Sequence, residues 1–208
     1  MENKSKFHGK VGELFLHVLV ASLVVSVTCG IALPWAICYL GAYIAKNIEL
    51  NGRKLKFTGK AGSLFGNYIK WWLLSIVTCG IYSLWVPTKV VAWAVKNVHF
   101  ADSDESVAVS EFKGSGLGVW GMMFLYNIIC GATLYIATPW AMVMLVNYIL
   151  ENSVVDGCLI EFSGKGGAFF GTWLLGLVLG VITCGIYLIW FQVKLISWFV
   201  ERTSYKEA

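Results

Sequence analysis

Charge is what this chain has least of. Only 13% of its 208 residues are charged, against about 25% in a soluble domain. Between Glu13 and Lys46 the one other acid or base is His17, and from Leu117 to Leu150 there is none. Catalytic signatures are missing too. There is no G-x-S-x-G, no H-E-x-x-H, no P-loop and no pair of carboxylates inside an apolar block, which excludes the common hydrolase, metalloprotease and nucleotide chemistries. Histidine is limited to His8, His17 and His99, which leaves acid/base catalysis few groups. C-x-x-C is absent as well, so the usual zinc spacing has no counterpart. These gaps lead to the expectation of a non-enzyme with no cofactor and no metal site. The net charge of +4 does not point to nucleic acid, because the basic residues form no stripe with interleaved exposed aromatics.

What is present is apolar and long. Hydrophobic residues make up 58% of the chain and the mean hydropathy is +0.70, a composition read as that of a membrane protein. The basic start from Met1 to Lys10 leads into an apolar run without a small-x-small cleavage site, and is read as a retained first helix. Ser26-Val27-Thr28-Cys29 resembles a lipid-attachment box, but Thr-Cys-Gly returns at Cys79 and Cys184, where no such signal acts.

That recurrence belongs to an internal repeat. Phe7-x-Gly9, Phe57-x-Gly59, Phe112-x-Gly114 and Phe162-x-Gly164 start four units spaced by 50, 55 and 50 residues. A tryptophan follows each Phe by 28 residues (Trp35, Trp85, Trp140, Trp190), and position 22 holds Cys29, Cys79, Leu134 or Cys184. At an offset of 105, Pro34-Trp35-Ala36 matches Pro139-Trp140-Ala141 and Lys89 matches Lys194. The repeats are assigned to residues 7–56, 57–111, 112–161 and 162–208, pairing as halves 7–104 and 112–208 of a single polytopic domain.

Each unit carries roughly 34 apolar residues, about 50 Å as one helix against a hydrocarbon core of about 30 Å. Cys29-Gly30, Cys79-Gly80 and Cys184-Gly185 interrupt these spans, so each unit is expected to be a helical hairpin. The turns are uncharged, while the joints hold Lys4, Lys6, Lys10, Lys46, Arg53, Lys54, Lys56 and Lys60. By the positive-inside rule the joints and both termini face the cytoplasm. The expected fold class is an all-α membrane protein of four hairpins and about eight short transmembrane helices. Short strand-like cytoplasmic joints are expected from the alternation at Leu55–Gly59 and the turn signals Asn51-Gly52 and Asp156-Gly157.

The pattern Phe-x-Gly-x-x-Gly-x-Leu-Phe, then Thr-Cys-Gly-Ile-Tyr, then Trp with a basic residue four positions on, resembles the YjgN-like family of bacterial inner-membrane proteins. Phe57, Gly59, Gly62, Leu64, Phe65, Thr78, Gly80, Ile81, Tyr82, Trp85 and Lys89 carry the likeness best. The resemblance implies a multi-pass protein of the bacterial inner membrane and supplies no known activity, substrate or catalytic residue. The third unit departs from the pattern with Thr133-Leu134-Tyr135.

Two function classes follow. A small-solute or ion transporter would use Lys89 and Lys194, one helical turn past repeated tryptophans, to draw an anionic solute to a polar cavity, aided by a polar ring of His17, Asn67 and Thr172. A non-catalytic structural or partner-binding membrane protein would instead let those lysines reach lipid headgroups. Gly66, Gly121 and Gly171 are expected to let helices approach closely, and Cys29, Cys79 and Cys184 to be small buried packing residues rather than thiolate ligands. The expected partners are a lipid bilayer and a small anion, with homo-oligomers left open. The discriminating feature is the lining of the central cavity, polar for transport and apolar for the second class.

Overall fold

A computed structural model describes residues 5–104 and 109–207; Lys4 of the basic start and positions 105–108 of the second repeat lie outside the described residues. The chain runs β1 (Lys6–Phe7), α1 (Val11–Val27), α2 (Leu33–Lys46), β2 (Ile48–Leu50), β3 (Arg53–Phe57), α3 (Ala61–Val77), a short 3-10 turn (Ile81–Leu84), α4 (Val86–Lys96) and β4 (Val98–Phe100). It continues through β5 (Glu111–Phe112), α5 (Gly118–Ala132), α6 (Thr138–Glu151), β6 (Ser153–Val155), β7 (Cys158–Phe162), α7 (Gly166–Ile182), α8 (Leu188–Val200) and β8 (Thr203–Glu207).

The fold is mixed α/β, which corrects the expectation of an all-α protein. The joints do not stop at short strand-like stretches. They pair into two four-stranded antiparallel sheets, ordered β1-β2-β3-β4 and β5-β6-β7-β8. Local alternation reveals the β2–β3 hairpin, in which Glu49 faces Lys54 and the Asn51-Gly52 turn takes positive φ at both residues. The pairing that completes each sheet is long-range: Phe57 opposite Val98 across α3 and α4, and Phe162 opposite Thr203 across α7 and α8.

The transmembrane reading is corrected as well. Among the described residues no helix is long and apolar enough to cross a membrane. The longest helices, α1, α3 and α7, have 17 residues each, about 25 Å at 1.5 Å per residue and short of a hydrocarbon core of about 30 Å. That finding also removes the multi-pass placement in the bacterial inner membrane and the cytoplasmic assignment of both termini, since parity counting requires complete crossings.

The helices form a closed ring. Neighbours pack in chain order from α1 to α8, α3 reaches α4 through the 3-10 turn, and α8 returns to α1. The two sheets meet beneath the ring, β4 beside β6 and β2 beside β8. Their apolar faces share a core with the platform ends of α2 and α8, in which Leu50, Leu55 and Phe100 of one sheet lie with Val155, Cys158 and Ile160 of the other. Removing these side chains from water is the dominant drive for joining the sheets.

Phe-x-Gly has a packing cause. In every repeat the Phe ring folds back over the glycine, so that a Cβ at Gly9, Gly59, Gly114 or Gly164 would lie 2.3–2.5 Å from the ring of Phe7, Phe57, Phe112 or Phe162. Trp93 and Trp198 close over the same place in the second and fourth units. Gly66, Gly121 and Gly171 behave differently from expectation, because a Cβ on any of them meets nothing within 4 Å. Close helix approaches occur instead at Gly118 against Tyr148, Gly166 against Trp140 and Gly176 against Phe191.

Candidate functional site

The four hairpin tips share one construction. In the first, Thr28 Oγ1 donates to Val24 O at 2.7 Å and accepts from Ala32 N at 3.1 Å, tying the end of α1 to the start of α2. Thr78, Thr133 and Thr183 make the same pair of bonds. The backbone closes as a Schellman turn, with Gly30 N donating to Val25 O at 2.9 Å and Cys29 N to Ser26 O at 3.2 Å. Cys29 and Gly30 consequently sit at φ 49° and 88°. The third tip adopts the same turn without glycine, holding Leu134 at 48° and Tyr135 at 65°. Cys29, Cys79 and Cys184 are exposed at these tips, which corrects the expectation of buried packing residues; Cys38, Cys130 and Cys158 are the buried ones.

The turn residues themselves are uncharged, with Lys89 and Lys194 reaching back to the second and fourth turns, and their apolar side chains stand free: Val27 is 82% exposed, Val77 78%, Leu134 83% and Val181 72%. Further down the helices Leu23, Ile69, Trp72, Phe124, Ile128 and Leu175 are exposed as well. Monomeric soluble proteins seldom leave apolar patches of more than a few hundred Å² open. At the opposite end, Lys10, Lys60 and Lys165 precede α1, α3 and α7, Lys46 and Lys96 end α2 and α4, and all five are exposed. The molecule is therefore polarised along the hairpins, apolar at the turns and charged at the collar where the helices meet the sheets, the five lysines there standing with exposed Glu13, Glu151 and Glu201.

Beneath the collar the sheets are locked by polar side chains. Asp156, in the β6–β7 turn, accepts from Phe100 N at 2.6 Å, Ser103 Oγ at 2.5 Å and Ser110 Oγ at 3.1 Å, and pairs with His99 Nδ1 at 2.6 Å. Burial pushes the Asp156 carboxyl up, but the bonds from Ser103, His99, Phe100 N and Ser110 outweigh it and hold the group below its ordinary range. At the offset of 105, Ser5 Oγ donates to Thr203 O as Ser110 Oγ does to Val98 O, and Asn51 stands where Asp156 does. The serines lie beside Asp156 rather than across the imidazole from it, which makes this a clamp between sheets and not a nucleophile–base pair.

Between the sheets and α4, α6 and α8 lies a cavity of about 430 Å³. Its walls are aliphatic, from Leu55, Val95, Met142, Val146, Leu195 and Ile196 among others, and Phe199 is its one aromatic side chain. The only polar side chains in the lining, Ser153 and Thr203, already donate to Ile149 O and Phe199 O at 2.6 and 2.9 Å.

The polar residues singled out in the sequence do not gather at this cavity. Lys194 Nζ donates to Tyr187 OH at 2.9 Å and sits over that ring, and Lys89 sits over Tyr82, each lysine held by the tyrosine of its own Thr-Cys-Gly-Ile-Tyr turn. Thr172 joins Lys194 in a cleft of about 320 Å³ between α7 and α8, with Ser197 and Glu201. His17 stacks against Tyr39 and Tyr43 at 4.8 and 4.1 Å and bonds Glu13 O through Nδ1 at 2.7 Å. Asn67 lies half-buried on α3. Neither lysine lines the central cavity. The Asp156 clamp left little signal in the sequence beyond a serine preceding the Phe-x-Gly motif in both halves, and the cavity left none, since its walls come from all four repeats. No family model, curated protein or solved structure matches the chain.

Proposed function

We propose that this is a non-catalytic, partner-binding protein whose partner is a lipid layer. The hairpins dip into the apolar layer tip first and return, the lysine collar meets the headgroups, and the paired sheets form a platform outside. One observation carries this reading: charge-free turns with Val27, Val77, Leu134 and Val181 largely exposed, and exposed Lys10, Lys60 and Lys165 at the opposite ends of α1, α3 and α7. Lipid satisfies both ends, since apolar surface leaves water and each lysine near an anionic surface contributes about 1 kcal/mol. A depth of about 25 Å enters the hydrocarbon without requiring any helix to span it.

The solute-pathway reading loses its support in the same geometry. Its polar cavity is replaced by an apolar one, and Lys89 and Lys194 are held by tyrosines of separate hairpins. The resemblance to YjgN-like proteins names no activity and leaves the reading to rest on geometry.

Flotation with phosphatidylcholine vesicles, with and without phosphatidylglycerol, tests it. The protein rises with both, and added salt weakens only the extra binding to the anionic vesicles. Protein that stays at the bottom of both gradients contradicts the proposal.

A further inference from the structure

The cavity beneath the ring is a second apolar feature, separate from the hairpin exteriors, and we propose that it is a binding site for a single aliphatic acyl chain. Four observations point to that occupant. The volume, about 430 Å³, lies in the range of small-ligand sites and exceeds what one or two waters fill. The lining offers no free side-chain hydroxyl, since Ser153 and Thr203 donate to Ile149 O and Phe199 O in the last turns of α6 and α8. Water entering the pocket finds no free side-chain partner there, so its walls favour carbon over water.

The walls also select among apolar ligands. They are branched aliphatic side chains with Phe199 as the single ring, and they present no aromatic pair between which a flat ligand could stack. A flexible methylene chain fits such walls because it adapts to their relief and gains dispersion contacts along its length. The walls come from both halves: Leu55 and Val95 from the first, Val146 and Leu195 from the second. A bound chain would therefore bridge the two sheets, and its presence would be felt as stability. The site does not depend on the hairpins entering lipid, so either proposal can fail alone.

The test uses a palmitate analogue with a diazirine near its methyl end, photolysed with the purified full chain, followed by mass-spectrometric mapping of the labelled peptides. Labels are expected on α6 and α8 around Met142, Val146 and Ile196. Excess palmitate removes them, and Val146→Trp, which puts a ring into the ligand's space, lowers them about tenfold or more. Ala94→Phe fills the same cavity from α4 and serves if the first variant does not fold. Both variants still float with vesicles if the hairpin reading holds, and a tip variant such as Val181→Asp still labels at Val146. Labels confined to Val27, Val77 and Val181, or cavity labels unchanged in the filled variants, overturn the acyl-chain site.

Discussion

His99 Nδ1 stands 2.6 Å from Asp156 Oδ1, and this contact fastens the last strand of the first sheet to the β6–β7 turn of the second. Both side chains are buried, and the carboxylate is the common acceptor for Phe100 N, Ser103 Oγ and Ser110 Oγ. Removing it strands several buried donors at once. Asp156→Ala should cost about 3 kcal/mol or more of stability, whereas Asn51→Ala, at the corresponding turn with only Ser5 as its side-chain partner, should cost about 1 kcal/mol. Chemical denaturation of the two variants beside the parent measures the difference, and equal losses contradict the clamp.

The same carboxylate sets an acid limit. Its folded pKa lies below the unfolded value, which is about 3.9, so its contribution is complete above that value and is lost as pH falls through the lower, folded one. Melting temperature should therefore be insensitive to Asp156 protonation near neutrality and drop below about pH 4. In Asp156→Asn this part of the acid drop should disappear, which thermal melts across pH 2 to 7 would show.

Turn chemistry gives a paired prediction. Gly30, Gly80 and Gly185 hold φ near 90°, and Tyr135 meets the same demand at 65° with a side chain. Left-handed backbone costs an L-residue roughly 1–2 kcal/mol, partly offset by the entropy that glycine loses on folding. Gly80→Ala should therefore lose about 1 kcal/mol, and Tyr135→Gly should gain a few tenths to about 1 kcal/mol. Thermal melts of the two single variants check both signs, and a stabilising Gly80→Ala contradicts the turn assignment.

Gly164→Ala probes the Phe-x-Gly motif. The new methyl would lie 2.3 Å from the Phe162 ring and 2.9 Å from Trp198, both buried in one cluster with Phe169 and Phe199. Phe162 is packed against Phe169 and Phe199, so the overpacked substitution should cost about 1–3 kcal/mol. Gly171→Ala, with nothing within 4 Å of its Cβ, is the control and should cost nothing.

The sequence showed those features whose cause is local. Periodic Phe-x-Gly, the threonine before each turn and the left-handed glycines all act within a few residues of themselves, and repetition exposed them, at four sites for the first two and at three for the glycines. The sheets were half legible: Leu55-Lys56-Phe57 alternates, but its partner Val98-His99-Phe100 is fixed only after α3 and α4 have folded back. Composition misled in two ways. Long apolar runs suggested complete crossings, although Thr28, Thr78, Thr133 and Thr183 end the first helix of every hairpin at 17 residues or fewer. Glycines at matching positions suggested close helix contacts, yet Gly66, Gly121 and Gly171 face open space. Lys89 and Lys194 looked like a pair because they are related by the repeat, whereas sharing a repeat position fixes only the local partner, Tyr82 or Tyr187.

The proposed entry of the hairpin tips into lipid is tested most directly by depth-resolved quenching. A fluorophore on Cys184, with Cys29 and Cys79 changed to serine, marks a tip; one on a cysteine replacing Lys206, with all three tip cysteines changed, marks the platform. In vesicles containing lipids brominated along the acyl chain, the Cys184 probe should be strongly quenched by bromine and shielded from aqueous iodide, and the platform probe should show the reverse. A Cys184 probe open to iodide and untouched by the brominated chains would contradict the claim that these hairpins enter lipid.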